Sequence, residues 1–168
     1  MALAHHDWRL SQSIIDQARA AGVTITTAES CTGGLVSVAL TSIPGSSSVF
    51  DRSFITYSND AKMEMLGVRQ DVIGRYGAVS GETARAMADG ALRNSNATLA
   101  VAITGVAGPG GGTPDKPVGL VWFGLASKNG SVGTERRLFP KGDRDFVRQR
   151  ATTTALMLLH QAIEPLKG

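Results

Sequence analysis

The residues best suited to chemistry lie at positions 27–34, TAESCTGG, where a predicted strand runs directly into a predicted helix. Backbone N–H groups in the first turn of a helix lack intrahelical partners, and the helix dipole there favours negative charge. A hydroxyl held at such a turn can attack a carbonyl carbon while nearby amides receive the oxyanion. Ser30 is therefore the predicted nucleophile. The predicted oxyanion donors are the backbone amides of Cys31, Thr32, Gly33 and Gly34.

Two other interpretations of this segment stay open at the level of sequence. Ser30 or Thr32 can serve only as a helix cap, with the glycines that follow serving the turn. The segment matches neither the G-x-S-x-G elbow nor the S-x-x-K motif of serine hydrolases. Cys31 is a rival nucleophile because thiols are intrinsically more reactive at neutral pH, although a lone cysteine is more often a small buried hydrophobic residue. We favour Ser30.

Lysine is the base that the sequence offers for Ser30. The three histidines, His5, His6 and His160, lie near the two ends of the chain. Lys62 falls in the first turn of a predicted helix, where the positive end of the helix dipole disfavours an ammonium ion. That position, together with burial, would lower the pKa of Lys62, as a neutral lysine base requires. The alternative is a surface lysine whose stem lies on apolar neighbours.

Two further segments are predicted to hold the substrate. Tyr57 ends a predicted strand, where it would bond the catalytic amine or stack on a ring, the alternative being ordinary packing. Residues 104–112, TGVAGPGGG, form a loop whose backbone amides can approach an anion or a flat ring. This loop matches neither the phosphate-loop nor the dinucleotide motif, so ATP and NAD are not predicted as cofactors. The alternative for the loop is a mobile connection.

Arg144 and Arg148 are four residues apart at the start of the last predicted helix, so they share one face. Cations are unfavourable at that end of a helix unless an anion lies between them. The pair is therefore predicted to bind a substrate phosphate. The alternative is pairing with Asp143, Asp145 or another carboxylate.

The composition is that of an ordinary globular protein. Of the 168 residues, 42% are hydrophobic and 18% are charged, and the net charge is +3. A charge this small, without a basic cluster, argues against nucleic-acid binding. The sequence also shows no membrane span, no secretory signal, no metal-ligand spacing and a single cysteine. We expect a single domain over residues 1–168, with its core at about 10–165. We also expect a cytoplasmic protein that binds neither a membrane nor a metal ion.

The elements that must position these side chains alternate between helix and strand. Apolar periodicity and capping residues predict helices over residues 7–21, 33–42 and 59–66 and helices capped by Ser80 and Asp143. Strands are predicted over residues 23–28, 49–57, 97–104, 118–127 and 131–139, and Asn129-Gly130 is the predicted hairpin turn. This order predicts a mixed, mostly parallel sheet between helices, with ligands beyond the carboxyl ends of its strands.

Five ordered blocks of this sequence resemble the C-terminal domain of the competence/damage-inducible protein CinA. They are TAESCTGG at 27–34, YSNDAK at 57–62, VSGET at 79–83, TGVAGPGGG at 104–112 and KGDRDFVR at 141–148. The resemblance implies a three-layer α/β/α sandwich with a mixed five-stranded sheet, similar to anticodon-binding domains in fold but not in RNA binding. Stand-alone members of this family include nicotinamide-mononucleotide deamidases.

The resemblance thus implies hydrolysis of the carboxamide of nicotinamide mononucleotide, a salvage step, with Ser30 and Lys62 as the catalytic pair and no cofactor. A homodimer is plausible for the family. The alternative is a silent nucleotide-binding or interaction module linked to competence or DNA damage. The residues predicted to contact the substrate are Glu29, Asn59, Thr104, Gly105, Gly108, Gly110, Gly111, Gly112, Arg144 and Arg148.

Overall fold

The computed structural model of the chain describes residues 5–164 and contains one five-stranded sheet with the strand order β2-β1-β3-β4-β5. The strands are β1 (Ile25–Glu29), β2 (Phe50–Ile55), β3 (Leu99–Gly105), β4 (Leu120–Ser127) and β5 (Gly130–Leu138). β1 pairs in parallel with both β2 and β3, whereas β4 is antiparallel to β3 and to β5. Four strands therefore point the same way, which confirms the predicted mixed, mostly parallel sheet.

Within the described residues, six α-helices cover the two faces of this sheet. They are α1 (His5–Ala21), α2 (Leu35–Thr41), α3 (Asn59–Leu66), α4 (Gln70–Tyr76), α5 (Gly81–Arg93) and α6 (Arg144–Ile163). α1, α2 and α6 pack together on one face, and α3, α4 and α5 pack together on the other. The arrangement confirms the three-layer α/β/α sandwich.

The two cores differ in the size of their side chains. The core under α1, α2 and α6 includes many large buried residues, among them Leu40, Leu156 and Phe123 of β4. Under α5 the sheet presents mainly alanines, and a Cβ added at Gly124 would lie 2.2 Å from the carbonyl oxygen of Ala84. α5 therefore lies directly on the sheet, which brings the chain just before α5 to the carboxyl end of β3.

The sequence predicted the types of these elements better than their ends. The hairpin between β4 and β5 is confirmed, but its turn is Lys128-Asn129 and not Asn129-Gly130, since Gly130 begins β5 and pairs with Ser127. The helix predicted over residues 33–42 begins only at Leu35, because Gly33 and Gly34 adopt positive φ values of 56° and 101°. α4 was not predicted, because none of its seven residues is buried and only Val72 and Ile73 pack against the core. Residue 165, the predicted limit of the core, lies outside the described residues.

Candidate active site

Ser30 lies immediately beyond the carboxyl end of β1, between the ends of β2 and β3. Its backbone N–H donates to the carbonyl of Ile103 at 2.9 Å, which extends the pairing of β1 with β3 by one residue. The turn that follows needs left-handed backbone at Gly33 and Gly34, which residues with a Cβ rarely adopt. The sheet and this turn together hold the hydroxyl of Ser30 in place while the residue is 8% exposed.

Glu29 has a different role from the predicted substrate contact. Its side chain is fully buried, and its carboxylate accepts hydrogen bonds from the backbone N–H groups of Gly34, Val36 and Ser37 at 3.0–3.2 Å. Gly34, the N-cap residue of α2, has no side chain that could cap the helix itself. Glu29 therefore caps α2 from the strand, because a carboxylate is favourable at a helix N-terminus. It does not line the pocket described below.

Lys62 of α3 contacts the side chain of Ser30, as the sequence predicted. It is the fourth residue of α3, whose first turn is capped by the hydroxyl of Ser58 accepting from the N–H of Ala61 at 3.0 Å. The Lys62 Nζ lies 3.0 Å from the Oγ of Ser30 and donates to the carbonyl of Thr56 at 2.7 Å. Only 1% of Lys62 is exposed, and burial lowers its pKa from 10.5 to about 8. An amine with this pKa is partly neutral near pH 7 and can accept a proton.

The thiol of Cys31 is poorly placed to act as the nucleophile. It is buried, and burial raises its pKa to about 12. The thiolate, and not the thiol, is the reactive form of cysteine. Cys31 therefore stays protonated at neutral pH, and the geometry favours the adjacent hydroxyl of Ser30.

A pocket of about 350 Å³ opens above Ser30 and Lys62 at the carboxyl ends of β1, β2 and β3. It brings together most of the residues that the sequence singled out. The predicted residues that line it are Ser30, Cys31, Tyr57, Asn59, Lys62, Thr104, Gly105, Gly108, Gly110, Gly111 and Arg144. Sequence reasoning missed two apolar lining residues, Ala78 and Val79, whereas Val106 and Ala107 belong to the loop at 104–112 that was predicted to hold the substrate. The sequence signal for Ala78 and Val79 was the cap residue Ser80, because residues just before a cap lie at the N-terminus of a helix.

Arg144 and Tyr57 join two sides of the mouth of this pocket. The guanidinium of Arg144 donates from Nη2 to the hydroxyl of Tyr57 and from Nη1 to the carbonyl of Gly108, both at 2.8 Å. The prediction that Tyr57 bonds the catalytic amine is wrong for this structure, since Tyr57 is 62% exposed and its hydroxyl meets Arg144. The arrangement leaves a cation and an aromatic ring at the rim.

Arg148 does not join Arg144 in a shared anion site. Its Nε donates to the carbonyl of Cys31 at 3.1 Å, and its Nη2 approaches the carbonyl of Thr32 at 3.4 Å. One turn of helix separates the two arginines, yet long side chains carry their guanidinium groups to different neighbours. The predicted substrate contact of Arg148 is thus replaced by a contact with the backbone beside Ser30. Gly112 also lies off the pocket, packed against the backbone of Val118.

The structure narrows the predicted oxyanion donors from four amides to two. The N–H of Gly33 already donates to the carbonyl of Ser30 at 3.0 Å, and that of Gly34 donates to Glu29. Within residues 5–164, the N–H groups of Cys31 and Thr32 donate to no carbonyl or side-chain oxygen. Cys31 lines the pocket, whereas Thr32 is fully buried.

Residues 5–164 contain no group of three histidine, cysteine, aspartate or glutamate side chains arranged to hold a metal ion. None of the helices described is both long enough and apolar enough to span a membrane.

The fold and the pocket define an α/β/α enzyme with its site at the carboxyl ends of the parallel strands. The sequence model of the CinA C-terminal domain matches residues 7–163. The chain belongs to the CinA C-terminal domain family, which confirms the resemblance seen in the sequence.

Similar proteins include a named enzyme. The nicotinamide-nucleotide amidohydrolase PncC of Escherichia coli is 50% identical over 153 residues, which are 91% of this chain and 92% of that protein. A CinA-like protein of Akkermansia muciniphila is 52% identical over 130 residues, 77% of this chain but 31% of its own length. The crystal structure of the competence/damage inducible protein CihA from Agrobacterium tumefaciens has a TM-score of 0.94 and 45% identity, and covers 97% of this chain and 98% of its own.

Proposed function

We propose that this chain hydrolyses the carboxamide of nicotinamide mononucleotide to nicotinic acid mononucleotide and ammonia, with Ser30 as nucleophile and Lys62 as base. The observation that carries the proposal is the distance of 3.0 Å between the Lys62 Nζ and the Ser30 Oγ, at a buried amine. The name of the similar Escherichia coli protein supports the substrate.

The first half of the reaction forms an ester on Ser30. Neutral Lys62 takes the hydroxyl proton as the Oγ attacks the carboxamide carbon, and the carbonyl oxygen becomes an oxyanion. The free amides of Cys31 and Thr32 stabilise this oxyanion. The ammonium of Lys62 then gives its proton to the departing nitrogen, so ammonia leaves and the carbonyl re-forms as the acyl ester of Ser30.

The second half uses the same groups with water in place of the serine hydroxyl. Water enters the position that ammonia has left, and Lys62 accepts its proton as the oxygen attacks the ester carbon. Collapse of the second oxyanion breaks the bond to the Oγ of Ser30, which regains a proton from Lys62. The carboxylic acid gives its remaining proton to solvent water or to the released ammonia and leaves as its carboxylate, and no external oxidant or cofactor enters the balance.

Residues around the pocket mouth suit the rest of the nucleotide. Arg144 is the proposed partner of the phosphate, since a guanidinium offers paired donors to phosphate oxygens. The glycine loop, with Gly110 and Gly111 lining the pocket without side chains, and Asn59 on the facing side provide room and polar groups for the ring and the ribose. The deamidated product is a nucleotide with a free carboxylate, and we propose that the reaction serves pyridine-nucleotide salvage.

Ammonia release from nicotinamide mononucleotide tests this proposal. Wild type and Cys31→Ala should release ammonia at similar rates, whereas Ser30→Ala and Lys62→Met should lose activity by roughly a thousandfold or more. Equal rates in wild type and Ser30→Ala would remove the proposed nucleophile, and loss only in Cys31→Ala would transfer that role to the thiol. Absence of ammonia release from the folded wild type would favour a binding module instead.

A further inference from the structure

The contact between Arg148 and the turn after Ser30 is unusual because it engages backbone carbonyls and not a carboxylate. The nearest carboxylate oxygen, on Asp145, is 4.0 Å away, whereas the guanidinium reaches the carbonyl of Cys31 at 3.1 Å. The Arg148 side chain is 28% exposed and does not line the pocket. A role in direct substrate binding therefore does not explain its position.

The peptide unit that Arg148 engages is also the one that carries a free donor. The carbonyl of Cys31 and the N–H of Thr32 belong to the same planar peptide group. In a trans peptide the C=O and N–H bonds point in opposite directions. A guanidinium that fixes the carbonyl on the α6 side therefore fixes the N–H of Thr32 away from α6.

The other carbonyls of the turn are fixed as well. The carbonyl of Ser30 accepts a hydrogen bond from the N–H of Gly33 at 3.0 Å. Because this carbonyl and the N–H of Cys31 belong to the same peptide group, the bond also fixes the direction of the Cys31 N–H. The Nη2 of Arg148 approaches the carbonyl of Thr32. A Cβ added at Gly33 would lie 3.3 Å from the same Nη2. The turn thus leaves space for the guanidinium, which lies against three consecutive residues.

A positive group on a peptide carbonyl also strengthens the donor at the other end of that peptide. Hydrogen bonds in series polarise one another, and a charged donor does so more than a neutral one. The N–H of Thr32 consequently carries more positive charge than an isolated amide would.

We infer that Arg148 is a positioning residue: it aims and polarises the peptide N–H groups beside Ser30 that receive the oxyanion. The inference rests on the proposed function for the identity of the reaction. It assigns Arg148 no contact with the substrate, so its removal should affect the tetrahedral state and leave substrate binding intact.

Pyridine-3-boronic acid gives a readout that does not depend on turnover. Its boron accepts the Oγ of Ser30 as the hydroxyl proton passes to Lys62, and the product is a tetrahedral boronate anion with no group lost. Its dissociation constant, measured by calorimetry, therefore reports how well the turn stabilises a tetrahedral anion at Ser30. The proteins compared are wild type, Arg148→Met, Arg148→Lys, and two controls, Ser30→Ala and Arg150→Met, which removes an exposed arginine of the same helix.

Arg148→Met should weaken boronate binding and lower kcat, each by about tenfold or more, while KM changes by less than about twofold. Arg148→Lys should recover part of the loss because it keeps the charge but offers fewer aligned donors. Arg150→Met should behave as wild type. If Arg148→Met does not fold by circular dichroism, the intermediate loss expected for Arg148→Lys decides the question.

Three results would overturn the inference: wild-type boronate affinity in both Arg148 variants, a rise in KM with kcat unchanged, or wild-type binding no tighter than in Ser30→Ala. Failure of the proposed function is seen separately, as a lack of ammonia release by the wild type. Boronate binding would still show whether Arg148 supports the Ser30 turn.

Discussion

At the scale of single residues, the site depends on a lysine that is hidden from water. The Lys62 amine has the Oγ of Ser30 and the carbonyl of Thr56 as partners, and no carboxylate contacts it within the described residues. Burial without a counter-charge disfavours the ammonium form and lowers the pKa to about 8. The same burial raises the pKa of Cys31 to about 12, so it activates the lysine and silences the thiol.

The pH dependence of the reaction follows from Lys62. Protonated lysine cannot accept the hydroxyl proton, so kcat/KM should rise about tenfold per pH unit below the pKa of about 8 and level off above it. Initial rates of ammonia release from about pH 6 to about pH 9 test this, with Cys31→Ala expected to give the same profile. A flat profile, or one that falls between pH 7 and pH 8.5, would contradict Lys62 as the base.

At the scale of elements, the position of Lys62 depends on how closely α3 packs against α5. A Cβ added at Gly90 of α5 would lie 2.0 Å from the carbonyl oxygen of Leu66, the last residue of α3. The contact is with backbone, so no side-chain rotation can relieve it. Gly74 of α4 is also helical, but a Cβ there meets nothing within 4 Å.

These two glycines make a matched pair. Gly90→Ala should lower the free energy of unfolding by about 1–3 kcal/mol through overpacking and should reduce activity, because α3 carries Lys62. Gly74→Ala should raise the free energy of unfolding by about 0.5–1 kcal/mol, since alanine favours the helix. Urea unfolding and ammonia release of both variants check this, and a Gly90→Ala protein as stable and active as Gly74→Ala would refute the packing argument.

Local patterns in the sequence predicted most of these elements. Ser80 and Asp143 each cap the helix that they were predicted to cap, because a capping bond spans only three residues. α4 escaped prediction because none of its seven residues is buried and only two of them, Val72 and Ile73, pack against the core. Tertiary contacts were equally invisible: Glu29 caps α2 across a turn, and Arg148 reaches carbonyls 116 and 117 positions away.

At the scale of the whole molecule, the pocket is assembled from distant parts of the chain. Ser30 follows the end of β1, Lys62 lies in the first turn of α3, and Arg144 begins α6. Parallel strands place their carboxyl ends at one edge, so the topology alone predicts that these segments meet. The direction of each arginine is set by neighbours that the sequence does not reveal.

Arg144 should decide recognition of the phosphate at the pocket mouth. Arg144→Met should raise KM for nicotinamide mononucleotide by about tenfold or more with little change in kcat, because it removes a charge-assisted contact that is present throughout the reaction. Nicotinamide riboside, which lacks the phosphate, should be hydrolysed equally by both proteins. Equal losses with both substrates would instead give Arg144 a structural role through Tyr57 and Gly108.

The most direct test of the central claim is to locate the covalent intermediate. Wild-type enzyme mixed with nicotinamide mononucleotide, quenched in acid and digested, is analysed by mass spectrometry for the substrate's acyl group. We expect the acyl group as an ester on Ser30, and no adduct on the same peptide in Ser30→Ala. An adduct on Cys31, or full turnover by Ser30→Ala, would contradict the account.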